Sequence, residues 1–269
     1  MAPYDRRTGG SPRPPKTGDT WWYAAVAGEA ADSFSTRVRT RTRRACLGAV
    51  LLLTLVYAGL VLTATGRRWG DAAVTGRRAD TRVAALVRDH PSLDGAVTLS
   101  LVLACVLLVG LGLLRKRYAL TGAAAGAVAV AVAVAGLLQL YAPRPRPVDG
   151  AGALAPSGFP SATATLAFGV ALALVLVVPR RSREIVVGAA TLWAVALGGY
   201  AIAAGDHRPG DVIAAALLAL AVQCGLLALL ARRGKVRPGT RRGTTLRGLP
   251  TTLPLALVAA GGLVAGFLL

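Results

Sequence analysis

The stretch ALTGAAAGAVAVAVAVAGLLQLY, residues 119–141, decides the fold, because it runs 23 residues without a charged side chain. A helix of that length rises about 35 Å, enough to cross a hydrocarbon core of about 30 Å. Six comparable apolar runs flank it, at about 46–65, 96–114, 161–178, 185–204, 211–231 and 252–269. Their interiors hold no charge, as hydrocarbon demands; Asp211 stands at the start of one. The pattern predicts an all-α polytopic membrane bundle with six core spans plus a seventh, the last interrupted by Pro254 and glycines.

Composition agrees. Hydrophobic residues make up 54% and charged residues only 16%, whereas soluble domains are near about 25% charged. The mean hydropathy is +0.57. A soluble globular enzyme, a disulfide scaffold and a disordered chain are excluded. The net charge of +19 would ordinarily raise nucleic-acid binding. Here 28 of the 31 cations are Arg, beside abundant Ala, Gly and Val, a skew expected of a GC-rich coding sequence. No nucleic-acid partner is expected, and the position of the charge says more than its sum. Cys46, Cys105 and Cys224 all fall in apolar runs and read as buried thiols. With two histidines and no cysteine pair, no zinc-type site is assembled, and neither metal nor cofactor is expected. The first long apolar run starts at Cys46, too late for a cleavable signal peptide, so the first span reads as an uncleaved anchor.

Cations set the orientation. With the N-terminus in the cytoplasm, 22 cations fall on inside segments and 9 on outside ones, as the positive-inside rule requires. The chain then divides into a disordered cytoplasmic tail (1–36), a six-span membrane domain (37–231), a basic cytoplasmic linker (232–251) and the seventh span (252–269), placed in the plasma membrane. Trp21, Trp22 and Tyr23 suit the membrane interface or a plain short helix. The basic stretch Arg37 to Arg44 has a topogenic role or binds anionic lipid. The longer outside loop 66–95 has Val74, Val83, Ala84 and Val87 at spacings of a short surface helix, with His90 at its end as a solvated or capping residue.

Three polar islands stand at span ends, and span parity puts all three outside. They are QLYAPRPRP (139–147), PSGFPSAT (156–163) and GDHRPGD (205–211). Arg, Ser, His and Asp at one membrane face suit an anion or phosphate site. His207 and Asp211 are four apart, so on a first helical turn they would face the same way. An Asp accepting from one ring nitrogen fixes the tautomer and leaves the other as nucleophile or base. A helix-entry Asp beside a solvent-exposed His is the plainer reading of the same pair.

Together the islands resemble the type-2 phosphatidic acid phosphatase superfamily over about residues 46–231. The family pattern is K-x6-R-P, then P-S-G-H, then S-R-x5-H-x3-D. Arg146 with Pro147 matches the end of the first motif, Phe159-Pro160-Ser161 is similar to the second, and His207 with Asp211 matches the third. Departures are plain: Gln139 stands at the Lys position, Ala162 and Thr163 replace Gly and His, and Tyr200 and Ala201 replace Ser and Arg. The resemblance implies that His207 attacks phosphorus and that Asp211 orients it. It places Arg146, Ser161, Gln139 and Thr163 around the substrate phosphate. Two functions follow. One is a divergent lipid phosphatase-like protein acting on, or binding, a phosphorylated or diphosphorylated lipid at the outer face. The other is a non-catalytic membrane protein that binds lipid head groups or a partner. Oligomeric state is not legible in the sequence.

Overall fold

The computed structural model describes residues 20–79, 92–116, 118–142, 158–179 and 182–233. Among these the chain is all helical. Helix α1 spans Thr20–Val56 and runs into a π-helical turn, Tyr57–Leu62. Then come α2 (Ala64–Ala79), α3 (Ser92–Leu114), α4 (Tyr118–Tyr141), α5 (Ala162–Val177), α6 (Arg183–Ala203) and α7 (Pro209–Arg232).

Among the described residues, five stretches are long and apolar enough to cross a membrane: Ser33–Leu62, Ser92–Leu114, Tyr118–Tyr141, Arg183–Ala203 and Pro209–Arg232. The fourth expected span is α5, apolar but only 16 residues long. The seventh expected span, 252–269, lies outside the described residues, as do the linker from 234 onward and Val83, Ala84, Val87 and His90. Helix α1 starts at Thr20, well inside the segment expected as a tail. Helix α2 occupies the first part of the expected outside loop.

Helix α5 is the centre. It packs on α3, α4, α6 and α7, and α1 lies along α7. Small side chains make this possible. Ala164, Ala167, Ala171 and Ala173 of α5 are buried, against Ala124 and Val128 of α4, Ala190 and Ala194 of α6 and Ala215 and Ala219 of α7. Between membrane helices, contact rests on close backbone approach rather than on the expulsion of water. Gly198 of α6 shows the limit: a Cβ there would stand 2.7 Å from Val212 Cγ1 of α7. Larger apolar residues face outward, including Leu51 and Leu55 on α1 and Leu99, Val102, Leu103 and Val106 on α3, as expected of lipid-facing surfaces.

The connections fix both ends. Helices α3 and α4 join through a tight turn at Arg115–Lys116, where Lys116 adopts φ 52°. Nearby, Arg115 Nη1 donates to the Val177 carbonyl at 2.7 Å, tying the ends of α3 and α5. The opposite end gathers the close of α1, α4 and α6 and the start of α2, α5 and α7. There the polar islands meet.

Candidate functional site

Ser161 begins α5 as its N-cap, with extended backbone at φ −63° and ψ 121°. Its Oγ accepts the Ala164 N–H at 3.3 Å, and its carbonyl accepts the Thr165 hydroxyl at 2.7 Å. The hydroxyl therefore serves the helix start, in the manner of N-cap serines, and the residue is 0% exposed. The preceding Phe159–Pro160 bond is cis. Phe159 packs on Tyr57, with ring centroids 5.1 Å apart, and joins Val61 and Ala214 in a small apolar cluster. Thr163 lies one residue inside α5 and is exposed. Sequence pattern grouped it with Ser161; no described hydrogen bond joins it to the other site residues.

Gln139 closes α4. Its Nε2 donates to the Pro160 carbonyl at 2.6 Å, so the side chain expected at the phosphate binds protein backbone. Gly158 makes room for it: a Cβ there would stand 2.6 Å from both Cγ and Cδ of Gln139.

The third island is a turn between α6 and α7. Gly205, at φ 81°, takes the left-handed conformation that glycine tolerates best. The N–H groups of Asp206 and His207 both donate to the Ala201 carbonyl, each at 3.2 Å. Pro209 then starts α7, since its fixed φ and missing N–H suit a first helical position. His207 thus precedes the helix instead of sharing its first turn with Asp211. The two still face each other, with Nδ1 3.9 Å from Asp211 Oδ2. Asp211 Oδ2 accepts the Arg208 N–H at 3.1 Å. The Asp211 residue is 2% exposed, and its negative charge sits where the helix dipole favours it. The His207 side chain is 17% exposed, so it opens toward the surroundings while Asp211 lies behind it.

One backbone bond joins the second and third islands: Ser161 N–H donates to the Asp211 carbonyl at 3.2 Å. Ser161, His207, Asp211 and, through Pro160, Gln139 therefore share one end of the bundle. Arg146, the remaining expected site residue, lies outside the described residues, as does Arg144.

Sequence reading missed the contribution of α2. Asp71 Oδ1 accepts Arg208 Nε at 2.9 Å and lies 2.6 Å from Nη2. Gly70 packs on the Arg208 stem, where a Cβ would be 3.1 Å from Cδ. Counting its open mouth, a pocket of about 410 Å³ lies between α2 and the start of α7, with Leu60, Arg67, Trp69, Gly70, Arg208 and Asp211 in its wall. The available signal was Gly66 and Gly70, one helical turn apart around Arg67 and Trp69, a spacing that lets a helix approach another backbone. At the same end, Tyr200 donates its hydroxyl to Asp94 at 2.6 Å, tying α6 to α3.

Residues 120–235 match the family model of the PAP2 superfamily. The resemblance drawn from the three islands is thereby shown over this segment, which contains all six expected site residues. The match runs over helices α4 to α7, while α1, α2 and α3 precede it. No curated protein and no solved structure matches the chain. Helices of membrane-spanning length accompany the PAP2 match, which is consistent with a lipid phosphatase-like protein.

Proposed function

We propose that this protein handles a phosphorylated or diphosphorylated lipid at the outer face of the plasma membrane, with His207 as the group that meets phosphorus. The single observation that carries the reading is the His207–Asp211 pair, joined by backbone to Ser161 within a PAP2 segment. The excess of cations on the opposite segments supports the outer placement. Asp211 faces Nδ1 of His207; a small rotation of the ring closes the 3.9 Å gap to a hydrogen bond. That bond holds a proton on Nδ1 and leaves the Nε2 lone pair for attack. In the step the resemblance implies, Nε2 bonds to phosphorus as the bond to the leaving oxygen breaks and that oxygen keeps the electron pair. Water then cleaves the phosphorus–nitrogen bond, releasing phosphate and restoring the imidazole.

Thr163 stands where the family carries its general acid, and a threonine hydroxyl is a poor proton donor near neutral pH. An absent general acid typically costs about 10²–10⁴ in rate. The loss is greatest for a phosphomonoester, which must expel an alkoxide-like oxygen. A lipid diphosphate expels a phosphate monoester, a far better leaving group. Turnover should therefore favour lipid diphosphates.

The non-catalytic reading has its own support. Ser161 and Gln139 serve the fold through the α5 cap and the Pro160 carbonyl. Phosphate release by the purified chain, with phosphatidic acid and a polyprenyl diphosphate as substrates, separates the two. Diphosphate turnover lost in His207→Ala supports the catalytic reading. Equal His207-dependent rates on both substrates refute the preference. Binding without turnover leaves the non-catalytic reading standing.

A further inference from the structure

The pocket between α2 and α7 has two arginines in its wall, Arg67 and Arg208. Arg67 Nη1 donates to the Leu62 carbonyl at 2.7 Å and to the Val61 carbonyl at 3.4 Å, which fixes the group over the end of the π-helical turn. Its Nε is buried and has no hydrogen-bond partner among the described residues. A buried charged donor without an acceptor is costly, and each such group in a native structure calls for an explanation. Arg208 is held from the other side: its Nε and Nη2 engage Asp71 Oδ1. Gly70 and Gly210 allow this closeness, since a Cβ on either would stand 3.1 Å from Arg208 Cδ or Leu60 Cδ1, respectively. Asp211 belongs both to the pocket wall and to the His207 pair, so the pocket adjoins the reactive end.

We propose that Arg67 and Arg208 form a phosphoryl-binding clamp in this pocket, taking over from the cations absent at Gln139 and Ala201. The assignment of a function to the clamp rests on the reading of His207 and Asp211 given above. Guanidinium groups suit phosphoryl oxygens through planar, paired donors. Two of them also offset the carboxylates of Asp211 in the wall and of Asp71 against Arg208, so that a dianion meets donors on two sides. Asp71 holds the Arg208 guanidinium in place and does not itself contact the ligand. The chemistry is shared by a lipid head group and by free phosphate. Arg67 lies outside the PAP2 segment and Arg208 within it, so this chain's own N-terminal helices supply one half of the clamp.

The test measures binding to the full chain in detergent micelles, with inorganic phosphate in one arm and short-chain phosphatidic acid in the other. Arg67→Gln and Arg208→Gln should each weaken binding about tenfold or more, the scale of a lost charge-assisted hydrogen bond. Asp71→Asn removes the same charge pair as Arg208→Gln but keeps the cation and an Oδ1 that can still accept from it, so it should bind far more tightly than Arg208→Gln. Loss in both arms assigns a site for the phosphoryl group itself; loss in the lipid arm alone assigns a head-group site. Asp71→Asn as weak as Arg208→Gln would show that the broken bridge, not the cation, matters, and would overturn the clamp. Absence of binding to wild type in both arms, or unchanged binding in both glutamine variants, also overturns it. His207→Ala separates the clamp from the catalytic reading: binding retained without turnover supports the clamp alone. Turnover by wild type with no change of KM in either glutamine variant supports the catalytic reading and rejects the clamp.

Discussion

Replacing Gln139 by leucine removes one donor and keeps most of the side-chain volume. The donor meets the Pro160 carbonyl at 2.6 Å, on a residue that is almost wholly buried. The Ala164 N–H, which a regular helix would offer to that carbonyl, is taken by Ser161 Oγ. The leucine variant therefore leaves a buried carbonyl short of its described donor. Orphaned buried groups cost about 1–3 kcal/mol, while hydrogen bonds between membrane helices average about 0.6 and reach about 1.7 kcal/mol. A short bond to a carbonyl on a buried residue belongs near the top of the membrane range, about 1.5 kcal/mol, or roughly tenfold in the folded fraction. Equilibrium unfolding in mixed micelles reads this directly. Gln139→Leu should lose stability, while Gln139→Lys, which keeps a donor, should recover part of it. Unchanged stability in the leucine variant, together with lost phosphate binding, would refute the structural role and place Gln139 on the ligand.

Ser161→Ala deletes the α5 cap and should cost about 1 kcal/mol in the same unfolding measurement; a neutral result would mean that the cap is dispensable. Gly198→Ala forces α6 and α7 apart, because its Cβ would stand 2.7 Å from Val212 Cγ1, and overpacking of this kind costs about 1–3 kcal/mol. Wild-type stability in that variant would show that the two helices are free to separate. Cysteines introduced at Asp206 and Gly150 should react with an impermeant thiol reagent from outside intact cells, and reaction only after permeabilisation would reverse the orientation.

The spans were legible because hydrocarbon imposes length and neutrality on every crossing helix, and residues 119–141 satisfy both without ambiguity. Helix α5 was legible as apolar but not as central. Its alanines permit burial, yet only the packing shows that α3, α4, α6 and α7 all use it. At the site, spacing picked out His207 and Asp211 without fixing where the helix starts. Pro209 begins α7 after the histidine, and the pair meets across the turn instead of along a helix face. Ser161 and Gln139 were read from motif positions as phosphate ligands. The structure shows them bonded to backbone, a use that spacing alone does not reveal. The Asp71–Arg208 bridge crosses a sequence separation of 137 residues. No local pattern announces such a pair.

The shortness of α5 bears on how the protein meets bilayers of different thickness. Sixteen residues rise about 24 Å, less than a hydrocarbon core of about 30 Å. The α3, α4 and α7 helices, of 23, 24 and 24 residues, rise about 35 Å and exceed it. Hydrophobic mismatch acts on helices that touch lipid, which respond by tilting. Helix α5 is walled in by its neighbours, so its length answers to them and not to the membrane. A thicker or thinner bilayer tilts the rim while the centre keeps its register, and the turn that carries His207 is fastened to that centre through Ser161.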